Sequence, residues 1–251
     1  MPHSARLLSP LLLGAVIAGS PRRDRYGLTV IPLQIRGADP ARRRDALPLI
    51  VRELQPPTPD AILINYAQGS EGTVVFGQRL LGGMADRVVV THSTIPAGDS
   101  AIIPVAALEP RWWDEGPLRL GGRLPPTLLT LLQLATSDRP GLRSIARTAL
   151  WQACRERSGD ETAAEQGGWA LLDGPTLLAA HLIVPPAVAP AAPAPLQDAH
   201  SSVLVRRALA EAARDARFAW SAVSHPDLTE LSMVRASLNL PEAILQSRAV
   251  R

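Results

Sequence analysis

Runs of apolar and β-branched residues, separated by turn signals, predict a β-rich core. The segment Gly27–Ile35 is rich in β-branched residues and lies between loop signals, which predicts a strand. We expect further short strands over 61–65 and 73–76, and strand character again over 168–184. The segment 47–54 fits either a strand or a helix.

The strongest local pattern predicts a β-hairpin. Two apolar runs, Arg87–Thr94 and Ala101–Leu108, flank a turn at Ile95–Asp99 that contains proline and glycine. Pro104 has no N–H to donate to a ladder, so it belongs at an edge or a bulge.

Three later segments change from the period of a strand to that of a helix. Apolar residues recur at three and four positions over 127–135 and 140–157, as expected for helices that face a core. The segment from Ser201 to Trp220 is amphipathic, and we expect a helix over about 199–217. An Ala/Pro-rich connector is predicted over 185–195.

These elements predict an α+β fold. We expect an antiparallel β-rich core, sandwich-like or barrel-like, with about three helices. The predicted organisation is a single domain over 11–217 and a C-terminal helical tail over 218–251. The apolar segment Leu7–Ala18 resembles a signal peptide superficially, but Pro10 and Gly14 interrupt it, and a buried first strand accounts for it better.

Composition is that of a globular protein. The chain has 251 residues, of which 46% are hydrophobic and 20% charged, with a net charge of +3. A single cysteine, Cys154, excludes an internal disulfide, and no Cys/His cluster has the spacing of a zinc site. We therefore expect a cytoplasmic protein with no membrane span. Two arginine clusters lie in loop-like settings without interleaved aromatics, so nucleic acid is not an expected partner.

The hairpin brings polar residues together. If Ile95 pairs with Ser100, Arg87 lies opposite Leu108 and next to Glu109, which predicts an ion pair at the base of the hairpin. Such a pair fits either a structural salt bridge or part of a site. No Ser/His/Asp order, paired-carboxylate spacing or phosphate-binding loop is recognisable, so no reaction is predicted from the residues.

A longer stretch carries a family resemblance. The sequence GQRLLGGMADRVVVTHSTIPAGDSAIIPVAALEPRWW spans Gly77–Trp113. This stretch resembles the ARG and rhodanese-phosphatase-superfamily-associated protein family. The similar features are its glycines, its strand and proline turn, its Ile-Pro-Val strand, and its end at Glu109, Arg111 and Trp112. The family's acidic pair appears here as Gln78–Arg79. The resemblance implies a link to NAD or ADP-ribose metabolism.

Two hypotheses follow. The first is binding of an ADP-ribose-like or other phosphorylated nucleotide, with Arg79, Arg87 or Arg111 on phosphate, Trp112 on the base, and Glu109 in the same ligand site. The second is a non-catalytic structural or protein-interaction module whose polar cluster is an ion-pair network. Hydrolysis of a nucleotide, with carboxylates only at Asp86 and Glu109, has less support. The sequence identifies no cofactor.

Overall fold

The structure is a computed structural model, and it describes residues 8–36, 49–56, 58, 61–66, 72–83, 85–108, 117–155, 168–185, 199–225 and 228–246. Within these residues the chain forms fifteen strands and five helices. The strands are β1 (Val16–Ala18), β2 (Arg22–Arg23), β3 (Thr29–Ile35), β4 (Leu49–Arg52), β5 (Ala61–Tyr66), β6 (Gly72–Val74), β7 (Gln78–Leu81), β8 (Arg87–Val89), β9 (Ser93–Ile95), β10 (Ser100–Ala107), β11 (Arg119–Arg123), β12 (Gly168–Asp173), β13 (Thr176–Val184), β14 (Phe218–His225) and β15 (Leu228–Arg235). The helices are α1 (Pro10–Ala15), α2 (Pro126–Ala135), α3 (Pro140–Arg155), α4 (Ala199–Ala212) and α5 (Asn239–Gln246).

The α+β class is confirmed, with antiparallel pairing between the strands. The three helices predicted from apolar periodicity correspond to α2, α3 and α4. None of the helices in the described ranges is long and apolar enough to cross a membrane.

The chain divides into two compact units. Unit 1 comprises Met1–Pro40 and Glu165–Arg251, and unit 2 comprises Ala41–Ala164. This organisation differs from the single domain predicted over 11–217. Unit 2 is inserted between two segments that pair with each other in one sheet, because β3 is hydrogen-bonded to β12. A sequence pattern does not reveal such pairing over so long a separation.

Unit 1 is a seven-stranded sheet with a helix on one face. The strand order is β1-β3-β12-β13-β15-β14, and β2 pairs with β3. Helix α4 contacts β1 and β13 of the sheet, and its Val205 and Leu209 belong to one buried cluster with Val16 and Ala180 of those strands. Each fully buried leucine in this core contributes about 1.5–3 kcal/mol.

Unit 2 contains a six-stranded sheet that curls on itself and a two-stranded sheet of β6 and β9. The order of the six-stranded sheet is β11-β7-β8-β10-β5-β4, and its two end strands β4 and β11 also contact each other. The interior holds a cluster of buried apolar side chains on β6 to β10: Val74, Leu80, Val89, Ile95, Ile103 and Val105.

Helices α2 and α3 pack together as a pair. Gly77 has φ +82°, and a Cβ there would collide with Cδ2 of Leu129 on α2. Glycine thus allows a close approach between the sheet and this helix.

The N-terminal apolar segment is not the predicted strand along most of its length. Pro10–Ala15 is helical, and only Val16–Ala18 is extended. The reason is local, because Ser9 caps the helix by accepting a hydrogen bond from the N–H of Leu12 at 3.1 Å, and Pro10 occupies its first position.

The C-terminal prediction is also wrong in part. Helix α4 ends at Ala212, and the tail predicted as helical over 218–251 contains the hairpin of β14 and β15 before α5. Phe218, Trp220, Leu231 and Met233 alternate with polar or small residues, a period of two that suits a strand with one face against a core.

The predicted central hairpin forms over only part of its length. Arg87 pairs with Ala107, one residue away from the expected partner Leu108. Strand β9, which contains Ile95, pairs with β6, and the first half of β10 pairs with β5. Strand β10 changes partner at Pro104, whose carbonyl still accepts from the N–H of Val90 at 3.3 Å. Strand β5 lies on the edge of β10 away from β8, so the hairpin ladder is confined to Val105–Ala107, and β9 leaves it to pair with β6.

Candidate functional site

Arg87 is buried inside unit 2. It lies on β8 directly opposite Leu80, on the face that also carries the core residue Val89. Its side chain is 0% exposed, and Nη2 donates to Oε1 of Glu53, the residue that follows β4. Its Nη1 donates to the carbonyl oxygen of Thr58 at 3.3 Å. A charge buried this deeply is stable only when a counter-charge and hydrogen bonds replace water.

Gly83 provides the space for this ion pair. It has φ +70°, and a Cβ at this position would collide with Oε1 of Glu53 and would lie 3.4 Å from Nη2 of Arg87. The adjacent Gly82 has φ +83° and donates its N–H to Oδ1 of Asp86 at 3.1 Å. The Gly82–Gly83 turn therefore lets backbone lie against the carboxylate, which other residues prevent.

Arg79 forms a second, more exposed pair. Its Nη2 lies 3.7 Å from Oδ2 of Asp86, with both side chains about a quarter exposed. Within the described residues, Nε of Arg79 and Nε of Arg87 each lack a hydrogen-bond partner. These atoms mark where the polar cluster has unused donors.

Of the five predicted ligand residues, the structure describes Arg79 and Arg87. Arg79 pairs with Val88 and Arg87 with Leu80, so the two guanidinium groups lie on opposite faces of the sheet. They do not converge on one ligand atom from these positions. Glu109, Arg111 and Trp112 lie outside the described residues, so the predicted Arg87–Glu109 pair stays a prediction. Glu53 is the carboxylate that contacts Arg87.

A second polar cluster, missed by sequence reasoning, lies in unit 1. Nδ1 of His181 on β13 is 2.8 Å from Oγ of Ser232 on β15, and Nε2 is 3.4 Å from Oε2 of Glu230. The ring of Trp169 on β12 stacks on the imidazole with centroids 6.1 Å apart. The strand pairing places Trp169, His181 and Ser232 in one row, on the face opposite the α4 core.

The order of hydroxyl, imidazole and carboxylate is that of a nucleophile, a base and an orienting group. A nucleophile must also contact a substrate. His181, Glu230 and Ser232 are 1%, 2% and 9% exposed, so the cluster is enclosed in the protein. Its geometry satisfies buried polar atoms across β13 and β15 and favours this strand register over slipped ones.

One sequence signal could have identified two of the missed residues. The alternation in Thr229–Val234 places Glu230 and Ser232 on one face and Leu231 and Met233 on the other, as in a strand. Glu53 gives no comparable signal, since it follows an ambiguous segment. Among the described residues, no group of three or more histidine, cysteine, aspartate or glutamate side chains is arranged to hold a metal.

Comparison with known proteins adds no relatives. No family model matches the chain, and neither the curated proteins nor the solved structures contain a significant match.

Proposed function

We propose that the chain is a non-catalytic structural or protein-interaction module whose polar cluster in unit 2 maintains the fold. The observation that carries this proposal is the complete burial of Arg87 against Glu53. A phosphate-binding arginine must present its guanidinium to a ligand, whereas this one is enclosed and already paired. Arg79 is likewise paired, with Asp86.

A double-mutant cycle tests this role. We expect Glu53→Ala to lower the free energy of unfolding by about 3–5 kcal/mol, because it leaves the buried guanidinium without its counter-charge. Adding Arg87→Met to Glu53→Ala should restore part of the lost stability. The methionine side chain is apolar, so no buried charge is left without a counter-charge. Urea unfolding of the wild type, both single variants and the double variant gives the coupling. Additive effects of the two substitutions would reject the structural ion pair.

A second candidate function is binding of an ADP-ribose-like or other phosphorylated nucleotide, linked to NAD or ADP-ribose metabolism. It is supported by the resemblance over Gly77–Trp113 and by Arg79, whose side chain is about a quarter exposed beside the glycine turn. Arginine binds phosphate through the planar donors of its guanidinium. In this proposal Arg111 and Trp112 complete the site, and Arg87 supports it from the opposite face.

Calorimetry with ADP-ribose, NAD and AMP distinguishes the two candidates. The binding candidate requires heat of binding by the wild type and a weaker affinity for Arg79→Ala. Arg143→Ala, an exposed arginine on α3, is the matched control and should bind like the wild type. Absence of binding to all three nucleotides, together with strong coupling between Glu53 and Arg87, would leave the structural role as the function of the cluster. We place either role in the cytoplasm, in accord with the single cysteine.

A further inference from the structure

The two edges of the sheet in unit 1 differ in how their backbone groups are used. At the β1 edge, side chains from α4 occupy the free positions. Ser202 Oγ accepts from the N–H of Ala18 at 3.0 Å, and Arg206 donates to the carbonyl oxygen of Val16 from Nε at 2.9 Å and from Nη2 at 2.7 Å. These bonds hinder the addition of another strand along β1.

Among the residues that the structure describes, none covers the β14 edge in this way. Strand β14 pairs with β15 over all eight residues without a bulge, and no described strand pairs with its other side. Every residue from Phe218 to Ser224 is at least partly exposed, whereas Glu230–Val234 of the neighbouring β15 are buried. An edge that is long, regular and accessible offers a row of unpaired backbone donors and acceptors.

The composition of β14 lacks the usual protection as well. Its sequence, FAWSAVSH, contains no proline, lysine, arginine or carboxylate. The nearest preceding charge, Arg217, is neutralised by Asp215, with Nη2 and Oδ2 2.7 Å apart. Two copies of this strand therefore meet without repulsion between like charges and without a missing N–H at a proline.

We infer that β14 pairs with β14 of a second copy of this chain. The two strands pair antiparallel about a two-fold axis perpendicular to the sheet. The unit 1 sheet of one copy then continues into that of the other, and the face that carries α4 lies on the same side in both copies. The same surface is used on both copies, so the contact is isologous and closes as a dimer. Because Ser202 and Arg206 block the β1 edge, the assembly does not continue into an open polymer.

This inference names a partner for the interaction role proposed above, yet it rests on unit 1 alone. The test is the mass in solution, measured by light scattering after size-exclusion chromatography over a dilution series of the full chain. We expect twice the chain mass of 26.8 kDa. A wild type that stays monomeric at the highest concentration overturns the inference. The proposed structural role is tested separately, by the coupling between Glu53 and Arg87.

Charge variants locate the interface. Ala222 is exposed on β14, so Ala222→Lys leaves the core intact but places two like charges close together across the two-fold axis. We expect Ala222→Lys and Ala222→Glu each to be monomeric and an equimolar mixture of the two to regain the dimer mass. Ser144→Lys on the exposed side of α3 is the control and should remain dimeric. A dimer that persists in Ala222→Lys, or a mixture that stays monomeric, shows that another surface or another partner is used and overturns the inference.

Discussion

Nδ1 of His181 lies 2.8 Å from Oγ of Ser232, across two neighbouring strands and 51 positions apart in the sequence. The two residues are direct partners in the ladder between β13 and β15. Glu230, two positions before Ser232 on the same face, approaches the other imidazole nitrogen. This buried contact ties the C-terminal hairpin to the middle of the sheet in unit 1.

Ser232→Ala should therefore destabilise the protein more than a serine substitution nearby. The variant leaves Nδ1 of a buried imidazole without its hydroxyl partner, and we expect a loss of about 1–3 kcal/mol in the free energy of unfolding. Ser221, the exposed partner of Ser232 on β14, is the matched control, and Ser221→Ala should change stability by less than about 0.5 kcal/mol. Chemical denaturation measures both. Equal effects would contradict a stabilising role for the His181–Ser232 contact.

Gly83→Ala should destabilise unit 2 for two reasons. Its φ of +70° disfavours a side chain, and the added Cβ collides with the carboxylate that holds Arg87. Gly98 has φ +71° but nothing within 4 Å of its Cβ position, so Gly98→Ala reports the backbone penalty alone. That penalty is about 1–2 kcal/mol. We expect a larger drop in melting temperature for Gly83→Ala, and equal drops would show that the ion pair tolerates the added methyl group.

Arg206→Ala should expose the second edge of the sheet. The substitution removes both hydrogen bonds to the carbonyl oxygen of Val16, so β1 becomes able to accept a strand. Light scattering should then detect species larger than the wild-type assembly, increasing with concentration. Arg207→Ala is the control, because the side chain of Arg207 is exposed and pairs with Glu211 on the same helix. If both variants keep the wild-type mass, Arg206 does not protect the edge.

Asp215 should titrate at an unusually low pH. A side-chain hydrogen bond from Arg217, followed by one from its backbone N–H, lowers the pKa of this carboxyl from 3.8 to about 2. The folded-state pKa is depressed, so the stabilisation is complete above pH 3.8 and is lost as pH falls through about 2. Carboxyl NMR should give this midpoint, and Arg217→Ala should move it back towards the ordinary value. An unchanged midpoint in that variant would assign the shift to another cause.

Local patterns predicted the elements with strong periodicity. The spacing of Leu128, Leu131 and Leu132 identified α2, and the β-branched run before Ile35 identified β3. Both depend on residues close in sequence, which is the scale on which period and capping act. The N-terminal segment is helical over Pro10–Ala15 because Ser9 and Pro10 start a helix there, which the apolar run alone does not predict.

The candidate site was less accessible to sequence reasoning. The sequence predicted an ion pair for Arg87 with Glu109, whereas its contact with Glu53 joins positions 34 apart through the curl of a sheet. The expected hairpin register was wrong by one residue, and such an error moves a side chain to the opposite face. The faces of Arg79 and Arg87 were thus unknown until the strands were paired.

The sequence by itself determined the α+β class, the three main helices and the positions of strands such as β3, β5, β10, β12 and β13, because these follow from short-range periodicity and turn chemistry. Only the tertiary structure decided which strands are neighbours, which carboxylate neutralises the buried arginine, and which sheet edge stays open. Many pairs of strands that are distant in the sequence have similar β-propensities, so local sequence does not decide which of them pair. Burial of the whole core selects among these pairings.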